Sequence, residues 1–366
     1  MRTPIHAALA SARHLLFALS AIAAASCGEH TKPTPAVPVD PLSAILDVFD
    51  SYRIVALGEG NHGNMQGHAF RLSLIRHPRF ADTVNDIVVE FGNARYQSLI
   101  DRFVRGDDVP EASLRRIWQD TTQPFTTWDS PIYEEFFQTV RTLNSSRARD
   151  RQLRVLLGDP PIDWSIIQNA EQALQWLESR DTHPAELIKR EVLSQNRRAL
   201  VIYGDMHFQR KNIQLNYIDH HGPEGKTLVN LLEPTTKVFT VWTNTHTNLA
   251  TLQPNVMSWQ KPSLVRIFGT TLGAADFTFY YPMESDRLSV REGKAVPVPR
   301  DQWRSLRMEN QVDAVLYLGL PSAITYATLP PALCADTAYV AMRLGRLALS
   351  GLPADRLEDC PVAERK

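Results

Sequence analysis

Apolar residues along this chain fall into two spacings, short continuous runs and stretches that recur every three or four positions, and the two alternate. Leu42, Ile45, Leu46, Val48 and Phe49 give a helical pattern over Pro41 to Asp50, followed by a short apolar strand, Arg53 to Leu57, closed by Gly58. A second helix is expected over Gln66 to His77, carrying Phe70, Leu72, Leu74 and Ile75, and it leads into a strand at Asp86 to Glu90. Near-continuous Val, Ile and Leu strands separated by helices predict an α/β fold with a mostly parallel central sheet and helices on both faces. Further strands fit Leu153 to Leu157 and Ala199 to Tyr203, and helices fit Leu114 to Gln119, Tyr133 to Asn144, Ile166 to Ser179 and Ala185 to Asn196. The later region reads as more β-like, with Leu228 to Leu232, Val238 to Thr243 and Ala314 to Leu318, before a final amphipathic helix at Ala338 to Leu349. There is no internal repeat, and no linker splits the chain after Pro41, so 42–366 is expected to be one domain.

The first residues break this pattern. Arg2 and Arg13 flank an apolar stretch, Leu15 to Ala25, that is too short to span a bilayer and reads as an export signal over 1–27. Ala24, Ala25 and Ser26 stand directly before Cys27, as at a lipoprotein processing site, with Ala24 where such sites usually carry leucine. The two readings are an outer-membrane lipoprotein anchored through Cys27 and a soluble secreted or periplasmic protein. Residues 28–41 carry prolines without apolar periodicity and read as a tether. In an exported chain Cys334 and Cys360 are expected to pair as a staple for the C-terminal segment, two buried thiols being the alternative. With 39 basic against 40 acidic residues and no run of either sign, there is no electrostatic footprint for nucleic acid.

Chemistry-bearing residues gather where strands are expected to end. Leu57-Gly58-Glu59-Gly60-Asn61-His62-Gly63 sets a carboxylate and an imidazole three residues apart among three glycines, between a strand and a helix. In open α/β sheets the loops at the carboxyl ends of strands form the ligand crevice. A phosphate loop is the rival reading, but GxxxxGK[ST] is missing and Glu59 would repel phosphate. Glu90 ends the next strand at the same edge, with Arg71 as candidate counterion, or else as half of an ordinary sheet-edge salt bridge. Leu200 to Phe208 repeats the design, a strand followed by Gly204, Asp205 and His207. Arg180, Asp181 and His183 precede that strand's helix and can face the same crevice, although Asp181 also suits a helix cap. Asp159 follows another strand and joins Asp205 and His183 as a candidate substrate contact; Asp129, Asp163, Trp128 and Trp164 lie in loops near the crevice, and His220-His221 reads as a solvated turn.

Gly58-Glu59-x-x-His62, Arg71, Glu90, Arg180-Asp181 and His207 together resemble the ordered motifs of the erythromycin esterase family and its ChaN-like relatives, over roughly the first two thirds of the mature chain. The resemblance implies that His62 acts as general base on a water that attacks an ester or lactone. Glu59 and Glu90 would support it, with Arg71, Arg180 and His207 as polar stabilisers and no cofactor required. One departure stands out: where the esterases carry two histidines three apart after the late strand, this chain has Gly204 and only His207, which argues against macrolide hydrolysis. Glu90-Phe91-Gly92, Tyr96 to Phe103 and Trp118 are similar instead to ChaN-like haem-binding lipoproteins, and Gly204-x-x-His207 is similar to a motif of the Tiki metalloproteases. The alternatives are therefore an exported hydrolase acting on a small-molecule ester and a membrane-anchored haem-binding protein in which histidine and tyrosine ligate iron. A divalent-metal hydrolase, built on the two histidines and two glutamates, lies between them.

Overall fold

In the computed structural model, seven strands form the central sheet in the order β3-β2-β4-β1-β5-β9-β6: β1 is Ile54–Gly58, β2 Asp86–Asn93, β3 Arg154–Asp159, β4 Ala199–Tyr203, β5 Val238–Asn244, β6 Ser263–Arg266 and β9 Ala314–Tyr317. Among the described residues two further strands, β7 (Leu288–Arg291) and β8 (Lys294–Pro297), pair with each other alone. The structure describes residues 32–210, 226–280, 288–291, 294–297, 306–357 and 359–360; the segment expected to be an export signal, with Cys27, and the pair His220-His221 lie outside them. All neighbours in the large sheet run parallel except β6, which is antiparallel to β9.

The strands are buried on both faces, which is why they read as continuous apolar runs. Val55, Leu57, Ile87, Val89, Leu200 and Ile202 pack on one side against the helices Pro41–Val48, Met65–Arg76 and Pro131–Asn144. Ile54, Ala56, Val88, Val201 and Tyr203 point to the other face, against the helix Thr182–Ile188 and the single turn Leu228–Leu232. The period of two along each strand thus builds two cores, and each fully buried Val, Ile or Leu contributes about 1.5–3 kcal/mol of transfer free energy.

Several expectations change in detail. Leu228–Leu232, read as a strand, is a helix: Thr227 Oγ1 accepts a hydrogen bond from the Asn230 amide at 3.2 Å and Asn230 Oδ1 accepts one from the Thr227 amide at 3.4 Å, a reciprocal cap that a short apolar run alone does not reveal. The helix expected over Ile166 to Ser179 begins only at Ala170, where Asn169 caps it, and the one expected over Ala185 to Asn196 runs Thr182–Ile188 and then widens into a π turn, Lys189–Leu193. The helix Gln97–Val104 and the edge strand β6 are additions to the expected set. The proline-rich tether is also shorter than its composition suggests. Thr34 donates to the Gly269 carbonyl at 3.1 Å, Ala36 is clasped by the Gln253 side chain, and Val39 bonds Leu264, so Pro33 to Lys366 forms one compact unit.

Strand order decides which polar residues meet. β4 lies between β2 and β1, so the ends of β3, β2, β4 and β1 form one rim that carries Asp159, Glu90, Gly204 and Glu59.

Candidate functional site

The turn after β1 is shaped by its neighbours. A Cβ on Gly58 would stand 1.5 Å from Asp205 Oδ1, and Gly60 holds a φ of +66°, a conformation glycine adopts at little cost. Asn64, preceding the helix Met65–Arg76, accepts from the Gly67 amide at 2.7 Å while its side-chain NH2 donates to the carbonyls of Glu59 at 2.7 Å and Asn61 at 2.6 Å. The residue that caps the helix therefore also locks the turn, a role its position just before a helix pattern foreshadows.

Within this frame Glu59 is buried and its Oε2 lies 2.9 Å from His62 Nδ1, while Oε1 lies 3.1 Å from Arg71. Arg71 thus serves Glu59 and not Glu90, the counterion role expected of it, since it lies on the helix that the Glu59 turn leads into. Glu90 is instead held by Arg180, by the Gly204 amide at 2.7 Å and by His207 Nε2 at 3.3 Å. His207 Nδ1 lies 2.8 Å from Asp181 Oδ1, which also accepts the Leu228 amide at 2.7 Å. Asp181 stands at the start of the helix Thr182–Ile188, but its side chain does not cap it. Asp159 accepts from Thr122 N at 2.7 Å and Oγ1 at 2.6 Å, with Arg180 Nε 4.0 Å away.

Electrostatics separate the two histidines. Burial disfavours a charged His207, but Asp181 and Glu90 outweigh it and raise its pKa to about 10, so it is an imidazolium at neutral pH. Burial also works to raise the Glu90 pKa, and Arg180 and His207 overcome it and hold the carboxyl well below the usual range. His207 is consequently a fixed cation that orients Glu90 and has no lone pair to offer. His62 differs in setting: its side chain is 30% exposed, Nδ1 makes its one hydrogen bond among the described residues, and its ring meets Trp128 edge-on at a centroid distance of 4.4 Å. Burial pushes Asp159 up to about 7 against Arg180 and Thr122, and pushes Asp205 well above the ordinary carboxyl range.

The sequence-derived candidates accordingly sort themselves. Glu59, His62, Arg71, Glu90, Arg180, Asp181 and His207 converge on the rim, with Asp159 at its edge. Asp205 is adjacent but packs beneath the turn, accepting from the Thr243 amide at 3.3 Å, and holds the β1 loop from below. His183 does not join the cluster: its Nε2 has no hydrogen-bond partner among the described residues, and burial and Arg190 lower its pKa to about 4. Asp163 pairs with Arg95 at 2.7 Å, Trp164 donates to the Thr121 carbonyl, and Asp129 pairs with Arg343, all outside the rim. Thr122, Asn64 and Gln123, whose amide oxygen, oriented towards it, faces the Arg180 guanidinium at 3.2 Å, are site neighbours that no motif marked.

Gly204 explains how one histidine fewer is accommodated. A Cβ there would lie 3.2 Å from His62 Cε1, 3.4 Å from His62 Nε2 and 3.5 Å from Glu90 Oε2, so the His62 ring occupies the space a side chain at 204 would need. Glu59, His62 and Glu90 each offer a donor atom within 4.8 Å of one another, a set whose chemistry suits a divalent ion. Arg71 and Arg180 already pair with Glu59 and Glu90, so a divalent ion would compete with both guanidiniums for those carboxylates.

Fold and site together define an α/β protein with a buried carboxylate–imidazole–guanidinium cluster at the C-terminal rim of a parallel sheet. Among solved structures the chain is similar to a succinoglycan biosynthesis protein, with 9% identity over 81% of this chain and 96% of that one and a TM-score of 0.55. It also matches a histidine-to-asparagine mutant of the erythromycin esterase EreC in its open conformation (12% identity, 79% of this chain and 95% of that one, TM-score 0.49). A third match is ChaN of Campylobacter jejuni with cofacially bound heme (12% identity, 56% and 86%, TM-score 0.34). At 9% identity the likeness to the succinoglycan biosynthesis protein concerns the fold alone. No family model and no curated protein matches this sequence.

Proposed function

We propose that this protein is a hydrolase that activates water against an ester or related bond, with His62 as general base. The observation that supports it is the asymmetry of that imidazole: Nδ1 is fixed on buried Glu59 at 2.9 Å, while Nε2 has no hydrogen bond among the described residues and faces the space beside Glu90. A water held there between Nε2 and the Glu90 carboxylate gives its proton to Nε2 as its oxygen attacks the carbonyl carbon. The proton then passes to the leaving oxygen, yielding acid and alcohol. Glu59 faces the imidazolium that forms, and Arg71 bridges its other oxygen. Arg180 and His207 hold Glu90 in place.

No metal is needed in this scheme, in which Arg71 and Arg180 already pair with the Glu59 and Glu90 carboxylates. The haem-binding alternative is less well supported, since His207, its natural histidine ligand, is buried and protonated between two carboxylates. The test is a panel of esters and lactones with wild type and His62→Ala. Loss of about 10²–10⁴-fold in turnover by a folded variant is expected, and unchanged turnover would remove His62 from the mechanism. We further propose export, supported by the leader pattern over 1–27 and by the Cys334–Cys360 bridge. A mature chain that begins at or close to Cys27 is the expected finding under either kind of processing, and one that retains Met1 would overturn it.

A further inference from the structure

The loop between the helices Glu111–Gln119 and Pro131–Asn144 touches the rim at three places. Thr122 holds Asp159, Gln123 faces Arg180, and Trp128, itself 1% exposed, packs its ring against His62. The same loop is gripped from behind by the C-terminal helix Thr337–Leu349. Arg346 bonds the Gln119 carbonyl and Asp120 at the loop's start, and Arg343 and Tyr339 both bond Asp129 at its end, one residue from Trp128. Thr126 is tied to Asp359, inside the segment closed by the Cys334–Cys360 bridge.

We propose that the C-terminal helix is a clasp for the site, in which Asp129, Tyr339 and Arg343 act as positioning residues that seat Trp128 against His62. The proposal rests on the reading of His62 as the working base and extends it to a helix that touches none of the Glu59, His62 and Glu90 side chains. Two constraints orient that imidazole, the Glu59 contact at Nδ1 and the Trp128 ring at 4.4 Å. The first fixes one atom; the second limits rotation of the ring and so aims Nε2. Trp128 has no hydrogen bond for its own Nε1 among the described residues, so its seat is set by packing and by the anchored residue next to it in the chain. The anchor is an expensive one if stability were its whole purpose. Arg343 is 1% exposed and its Nε and Nη1 find no partner among the described residues, and a buried ion pair with unmet donors stabilises a fold less than an apolar core of the same volume. What a guanidinium supplies that apolar contact does not is directional bonding, here from Nη2 to both Asp129 oxygens, and with it a defined position for Asp129.

The test compares Arg343→Lys, Tyr339→Phe and Leu347→Ala in the full chain, the last as a variant that loosens the same helix while keeping every clasp residue. Two readouts are used: the ring-current shift of the His62 Cε1 proton, assigned with His62→Ala, and kcat and KM on an ester that the wild type turns over. Arg343→Lys is expected to move the His62 signal towards its position in Trp128→Leu, and to lower kcat about tenfold with KM little changed. Leu347→Ala, compared at an equal loss of melting temperature, should leave the His62 signal in place. If Arg343→Lys does not fold, Tyr339→Phe, which removes a single hydrogen bond, carries the same comparison. A His62 signal in the folded clasp variants that coincides with wild type overturns the proposal, as does an equal displacement in Leu347→Ala. Absence of ester turnover in the wild type would instead count against the hydrolase reading, and the spectroscopic comparison would still decide the clasp.

Discussion

Protonated His207 makes a prediction whose size is set by its two contacts. A histidine in an unfolded chain titrates near 6.5, whereas Asp181 at 2.8 Å and Glu90 at 3.3 Å overcome burial and raise the folded value to about 10. Between these values the native protein holds one more proton than the unfolded chain, so stability falls as pH rises, by about 1.4 kcal/mol per pH unit. The contribution is complete below about 6.5 and lost as pH passes through about 10, with a ceiling of about 5 kcal/mol over the window. Glu90 contributes through the same contact with the opposite dependence: its depressed pKa stabilises above the unfolded carboxyl range and is lost only on strong acidification, so the pair is one interaction and not two. The assay is urea denaturation at pH 7, 8, 9 and 10 for wild type and His207→Gln, accompanied by NMR titration of the His207 ring. Wild type should lose several kcal/mol more across this range than the variant, whose tyrosines and lysines titrate alike. Parallel curves, or a folded His207 that titrates below about 7.5, would refute the assignment of His207 as a fixed cation.

Two further outcomes are expected. Gly204→Ala places a methyl group 3.2 Å from His62 Cε1 and 3.4 Å from Nε2, so turnover should fall at least tenfold while the melting temperature moves by only a few degrees; full activity would show that His62 has room to yield. Replacing both Cys334 and Cys360 by serine frees a loop of 26-residue separation and should cost about 3–4 kcal/mol in urea denaturation, a loss that would be absent if the two cysteines stay reduced in the native protein.

How much of the fold and site is legible in the sequence depends on the range over which each feature is decided. Strands buried on both faces must be continuous apolar runs, so β1 to β4 stand out in the sequence, and glycine followed by acid and histidine marks where two of them end. Five apolar residues at Leu228–Leu232 satisfy the same rule and form a helix, because Thr227 and Asn230 close its first turn. The four-residue β6 gives too short a run to be seen, and its place at the sheet edge depends on β9. The seven residues of the site can likewise be named from their motifs, but their pairing cannot.

Local pattern, then, determined the fold class, the strand ends and the identity of the polar residues delivered there. Tertiary structure decided what each of them is chemically. Only the insertion of β4 between β2 and β1 brings His207 against Glu90 and sets Gly204 beside the His62 ring. Only folding brings Arg343 to Asp129 across 214 residues. The physical reason is that a side chain's secondary structure is set mainly by its neighbours along the chain, whereas its charge and its freedom to react depend on burial and on groups a few ångströms away, which sequence distance does not encode.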